Sequence, residues 1–214
     1  MERYQTDLLD LRLGDCMDLM REMPDNHWDL AIVDPPYGID VANMNMGVGK
    51  SERCAKIENR KWTPKDWDVA PDQKYFTELF RVSKNQIIWG GNYFNLPPSK
   101  YFAIYDKGEG MRGRSFAEGE YAWVSSGGTR IKSFNPVDAD RIHPTQKPVA
   151  LYNWLLHNYA KPGDRILDTH LGSMSIAIAC HYKGFHLTGT ELDKDYFTAG
   201  VERVKKETAQ MELL

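Results

Sequence analysis

Short apolar runs that each stop at an acidic residue recur along this chain, with helix-like patterns between them. Leu30-Ala31-Ile32-Val33 stops at Asp34 and Ile166-Leu167 at Asp168, and a further strand, His186-Leu187-Thr188-Gly189-Thr190, ends at Glu191. Strands alternating with helices pack as an α/β sheet covered on both faces, and such sheets do their chemistry outside the carboxyl ends of the strands. A strand over 11–14 leads to a helix near 17–23 and then to a strand over 29–34. Tyr75, Phe76, Leu79, Phe80 and Val82 recur at helical spacing and predict a helix feeding a strand over 86–90. Two further strands fall at 101–106 and 120–125. Pro148 opens a helix with Val149, Tyr152, Leu156 and Tyr159 on one face, which Lys161-Pro162-Gly163 stops. A helix of small and apolar residues spans 174–181, and a last one runs from 194 to about 210. With 214 residues and 42% hydrophobic content the chain can bury one substantial core, so a single domain over 1–214 is expected.

The residues after the first of these strands, Asp34-Pro35-Pro36-Tyr37, suit the exocyclic amine of a nucleobase. That amine is a poor nucleophile because its lone pair is delocalised, so a catalyst must hold both hydrogens. Asp34 can accept one and the Pro35 carbonyl the other, while Pro36 stiffens the turn and Tyr37 offers a stacking face. A base held in this way has left its duplex. The same four residues also suit an ordinary turn at a strand end.

Downstream, Asp168-Thr169-His170-Leu171-Gly172-Ser173 forms a strand, a glycine turn and a helix start. This arrangement lets backbone approach a cofactor closely. Glu191 follows about 20 residues past the turn, where doubly wound folds place an acid for ribose hydroxyls.

With these motifs the chain resembles the S-adenosylmethionine-dependent amino-group DNA methyltransferases, of the class in which the catalytic motif precedes the cofactor motif. The resemblance covers nearly the whole chain. It also includes Gly14-Asp15-Cys16, Trp89-Gly90-Gly91-Asn92-Tyr93-Phe94 and His143-Pro144-Thr145-Gln146-Lys147-Pro148. It implies a seven-stranded, mostly parallel sheet with one antiparallel strand, the two motifs lying on neighbouring central strands. It implies that S-adenosylmethionine lies against Asp15 and Cys16 at its adenine and against Thr145, Gln146 and Lys147 at its methionine end. Asp34, Asp168, His170, Gly172, Ser173, Glu191 and Leu192 complete the implied cofactor set. An aspartate in the catalytic motif goes in this family with N6 of adenine and a serine with N4 of cytosine, which makes adenine the expected target.

One position departs from the family. Its cofactor motif commonly carries a second glycine where this chain has Met174. If the position needs positive φ, methionine interferes; if it only starts the helix, methionine is a good helix former. The second reading is the expectation.

A net charge of −3 argues against nonspecific coating of nucleic acid, but local charge matters more. Lys50, Arg53, Lys56, Arg60, Lys61 and Lys65 crowd the 41–65 segment, a candidate DNA-contacting loop or simply a solvated one. Arg112, Arg114, Arg130, Lys132 and Arg141 are further candidates for DNA. The span 127–142, where this class often inserts a recognition region, is very short, which suggests a short target or help from a second copy of the chain. Cys16, Cys54 and Cys180 lack metal-ligand or disulfide spacing, and no apolar run is long enough to cross a bilayer. A cytoplasmic enzyme without metal is the expectation. The alternatives are cytosine N4 as target, a related enzyme acting on RNA or a protein amide, and a cofactor-binding protein without turnover.

Overall fold

The computed structural model describes residues 2–39, 68–113, 117–134 and 141–209. The basic segment at 41–65, and with it Lys50, Arg53, Lys56, Arg60 and Lys61, lies outside these residues, as does Arg114. Nine strands are described: β1 (Arg3–Gln5), β2 (Leu9–Leu13), β3 (Trp28–Val33), β4 (Ser83–Trp89), β5 (Tyr101–Asp106), β6 (Gly119–Val124), β7 (Arg130–Ser133), β8 (Arg165–Asp168) and β9 (His186–Glu191). They share one sheet in the order β1-β2-β9-β8-β3-β4-β6-β5-β7. The helices are α1 (Cys16–Glu22), α2 (Gln73–Val82), α3 (Val149–Tyr159), α4 (Ser175–Lys183) and α5 (Lys194–Ala209).

The five strands from β2 to β4 in this order run parallel. β6 runs against both β4 and β5, and β1 against β2. The expected seven strands with one reversed are therefore nine with two reversed. The additional strands sit at the two edges. β1 is a three-residue polar strand tied to β2 by Arg3 Nε on Asp10 Oδ1 at 2.5 Å, and β7 is exposed along its whole length. β1 partly buries only Tyr4 and β7 buries nothing, so hydrophobic periodicity carries no trace of them.

Side chains alternate across the sheet as the strand repeat requires. Leu30 and Ile32 of β3 join Ile87 and Trp89 of β4 in a core closed by α3, α4 and α5. Ala31 and Val33 face the other way, with Ile88, into a core closed by α1 and α2. Being covered on both faces, the central strands read as continuous apolar runs. β4 follows α2 without a loop and starts at Ser83, earlier than the apolar run at 86–90 suggests. Beside this junction Arg81 donates to the carbonyls of Met20 and Met23 and pairs with Glu78 and Asp25.

From β3 the chain moves to β4 on one side, and from β8 to β9 on the other. The strand order therefore reverses between β3 and β8, which pair in parallel with Leu30 opposite Ile166 and Ala31 opposite Leu167. A crevice at the carboxyl ends is the geometric result of such a switch. Asp34 directly follows β3 and Asp168 ends β8, so the two carboxylates belong to the two strands that flank this switch.

Met174 corrects the expectation of a plain helix start. Its backbone is left-handed, at φ 58° and ψ 26°, and its side chain is fully buried. The position does require the conformation that glycine adopts freely. The thioether lies against Gly200 of α5, where an added Cβ would come within 2.8 Å of the Met174 Cγ and Sδ. Glycine at 174 would relieve roughly 1–2 kcal/mol of left-handed strain. Losing a buried methionine side chain costs about 2–5 kcal/mol, so the cavity outweighs the relief. Met174→Gly is expected to lower stability by about 1–3 kcal/mol, read as an earlier denaturant midpoint at unchanged slope.

Candidate active site

Asp34 follows the last residue of β3, and both of its carboxylate oxygens are engaged. The Tyr37 hydroxyl donates to Oδ1 at 2.7 Å, and Lys147 Nζ forms an ion pair with Oδ2. Lys147 is only 4% exposed and also meets Glu120 Oε2 on β6 at 3.0 Å, while Glu120 Oε1 meets Lys107 Nζ at 2.8 Å. Two acids and two ammonium groups thus alternate, and their charges balance, as burial demands. Burial alone would pull the Lys147 ammonium down, but Asp34 and Glu120 outweigh it and raise it above the ordinary lysine value. Burial likewise works against the Glu120 carboxylate, which Lys147 and Lys107 hold well below its usual range. Lys147 Nζ also lies 5.3 Å from the centroid of the Trp89 ring.

The Tyr37 ring stacks on Tyr93, with centroids 4.9 Å apart and planes 15° from parallel, and touches the edge of Phe94. Gly90 makes this packing possible. Its φ is +66°, and a Cβ there would sit 2.2 Å from Tyr37 Cε1.

Across the crevice, Asp168 is buried at the end of β8 and accepts the His170 backbone N–H at 3.0 Å. Among the described residues no basic side chain forms an ion pair with it. Burial pushes its carboxyl up to about 8, the charges of Asp34 and Glu191 add to this, and the His170 N–H opposes it. Glu191 accepts the backbone N–H groups of Gly172 at 2.8 Å and Asp193 at 2.9 Å, although burial still raises its carboxyl. Gly172 is left-handed at φ +49° and faces the His143 ring. His143 and His170 are both pushed down to about 4 by burial, so neither carries charge near neutrality. Thr169 Oγ1 bridges the Tyr75 hydroxyl and His170 Nδ1 at 2.7 and 2.9 Å.

The remaining candidates fall around this centre with different roles. Asp15 caps α1 by accepting the Met17 N–H at 2.8 Å, and Gly14 N–H reaches the Glu191 carbonyl, which brings the start of α1 beside the end of β9. The Cys16 thiol is pushed up to about 12 by burial and by Asp15, so it is no nucleophile. Thr145 bonds His143 Nδ1 through its hydroxyl at 3.1 Å, and Gln146 Oε1 accepts the Ile142 N–H. Ser173 supplies a carbonyl to Arg203, and Leu192 is 69% exposed. Pro35 is buried and Pro36 half-buried. Lys147, assigned by resemblance to the cofactor, has its ammonium on Asp34 instead. Arg112 is paired with Asp106, Glu109 and Glu118, an arrangement that suits a structural role better than phosphate contact. Arg130 and Lys132 are two apart on exposed β7 and share a face. Glu120, Lys107 and the stacking role of Tyr93 escaped sequence reasoning. A lone acid opening a strand carries no signal, whereas Tyr93 lay in plain view within the 89–94 motif.

A family model described as DNA methylase, of the N6/N4 type, matches residues 50–202, more than two thirds of the chain. The chain belongs to the N6/N4 DNA methylase family. YubD of Escherichia coli (strain K12), whose name marks it a methylase, is 23% identical over 213 residues, covering 89% of this chain and 88% of that protein. The type II methyltransferase M.HpaI of Haemophilus parainfluenzae is 34% identical over 65 residues, 30% of this methylase and 21% of its own length. Two solved structures share the fold. The M1.HpyAVI–SAM complex superposes with a TM-score of 0.57 at 17% identity, covering 92% of this chain and all of that one. The PvuII cytosine-N4-specific DNA methyltransferase gives 0.60 at 12% identity, with 96% and 92% covered. Among the described residues no helix is long and apolar enough to cross a membrane.

The raised Asp168 carboxyl makes stability depend on pH. It holds its proton to about 8 when folded against an ordinary 3.8, so its stabilising contribution is complete below the lower value and is lost as pH climbs through that window. Asp168→Asn is therefore expected to flatten the decline in unfolding midpoint between about pH 5 and 8. An equally steep decline in the variant would remove Asp168 as its source.

Proposed function

We propose that this methylase transfers a methyl group from S-adenosylmethionine to N6 of adenine in DNA, acting on a base turned out of the duplex. The observation that carries the reading is Asp34 at the crevice, held through Oδ2 by Lys147 while Oδ1 keeps a lone pair beyond its Tyr37 bond. That lone pair and the Pro35 carbonyl can take the two hydrogens of an exocyclic amine. Tyr37 supplies the stacking wall, as enzymes acting on base atoms require.

The residues across the crevice fit the donor. Asp168 and Glu191 are buried acids without an ion-paired cation among the described residues, a complement for the cationic and hydroxyl-bearing parts of such a molecule. Gly14-Asp15-Cys16 stands beside them for the adenine ring. The chemistry supplied by S-adenosylmethionine when bound is an electrophilic sulfonium methyl, open to direct in-line attack by the amine nitrogen. The chain's own contribution is positioning together with the Asp34 carboxylate, which opposes the positive charge that grows on the amine. No step in this scheme requires a metal or a covalent enzyme intermediate.

We further infer a single cytoplasmic domain with the catalytic motif ahead of the cofactor motif. The shortness of the 127–142 span favours a short target or a homodimer that shares the contacts. A restriction-linked role is compatible with this chemistry.

The test is to incubate the protein with unmethylated duplex DNA and methyl-labelled donor, digest, and identify the labelled nucleoside by mass spectrometry. N6-methyladenine is expected. N4-methylcytosine would overturn the base assignment while keeping the mechanism, and label only in RNA or protein would move the substrate. Asp34→Ala is expected to abolish transfer while calorimetry still detects donor binding; retained turnover would remove Asp34 from the mechanism.

A further inference from the structure

Tyr37 cannot receive a base on the face that Tyr93 covers, because their rings already stack with centroids 4.9 Å apart and planes 15° from parallel. That separation is itself a full aromatic contact and leaves no room for a third ring. One of the two rings must move, and the structure distinguishes them. Tyr37 is pinned by its hydroxyl on Asp34, by Gly90 against the Cδ1–Cε1–Cζ side of its ring, and by the edge of Phe94. Tyr93 is 49% exposed and ends a single 3-10 turn, Gly91–Tyr93, that follows left-handed Gly90. Its hydroxyl makes no hydrogen bond to the described residues.

We infer that Tyr93 is the movable second wall of the target-base slot. In the free protein it covers the stacking face of Tyr37; when a base enters, it swings toward solvent and closes on the outer face of that base. The inference rests on the proposed transfer to a DNA base and adds a residue that the catalytic motif does not contain. Phe94, next in sequence, packs inward against Phe76 with centroids 5.0 Å apart, so adjacent aromatic residues divide the work between core and slot. Stacking between an aromatic side chain and a base exceeds the contact between two tyrosine rings, so the exchange favours the bound state. It is also indifferent to which base enters, which leaves the choice of target to the groups that meet the amine.

Steady-state methyl transfer to unmethylated genomic duplex DNA, measured for the wild type, Tyr93→Phe and Tyr93→Ala, tests this. The Ala variant is expected to raise KM for DNA on the order of tenfold, through loss of one stacking partner, with donor affinity by calorimetry unchanged and the unfolding midpoint lowered only by the lost ring contact. The Phe variant is expected to restore the wild-type KM, because the ring does the stacking. An Ala variant with wild-type KM and kcat would overturn the inference. So would one whose donor affinity falls in step with KM, since that would mark a general structural defect. A wild type that labels no DNA base would instead defeat the functional reading first, and the slot with it.

Discussion

The Lys147 ammonium is the tie on which the rest of the site depends. It belongs to the segment that enters α3, yet it pairs with Asp34 at the end of β3 and with Glu120 at the start of β6. Three stretches distant in sequence are thereby fixed to one point that is almost closed to solvent. A buried carboxylate without such a partner would take up a proton and lose its capacity to accept from an amine. Across the crevice Asp168 has no ion-paired partner among the described residues and is pushed toward its protonated form. Two aspartates on neighbouring strands thus differ in their partners. One is compensated by a lysine within the protein, and the other has no ion-paired cation among the described residues.

Close approach sets the remaining geometry. Gly90 lets the Tyr37 ring lie against the backbone, and Gly200 lets α5 settle on the thioether of Met174. In the second case the glycine that the family commonly carries in the cofactor motif is replaced by a strained methionine, with room for its side chain made in a different helix. The strain and its compensation sit 26 positions apart in the chain, which explains why the sequence alone pointed to a plain helix start.

Much of the fold was legible in the sequence. The strand over 101–106 is found where expected, the central strands and all five helices within a few residues, and the acids at the ends of β3, β8 and β9 where the apolar runs stop. Those elements are written in hydrophobic period, which burial enforces. The edge strands β1 and β7 were not, because they bury little and hydrogen bonding alone makes them strands. In the site, the Asp34–Tyr37 and Asp168–Ser173 stretches could be found because their residues are contiguous. Glu120 and Lys107 could not, since their role exists only through Lys147.

The sequence by itself determined the layered α/β architecture, the switch from apolar strand to acid, and the family to which the chain belongs. These are local properties, readable from residue type and spacing. The tertiary structure decided which charges meet and which face of Tyr37 is covered. It also decided whether residue 174 must be left-handed. Each of these depends on distances between residues far apart in the chain, and only the packed sheet and its helices set such distances.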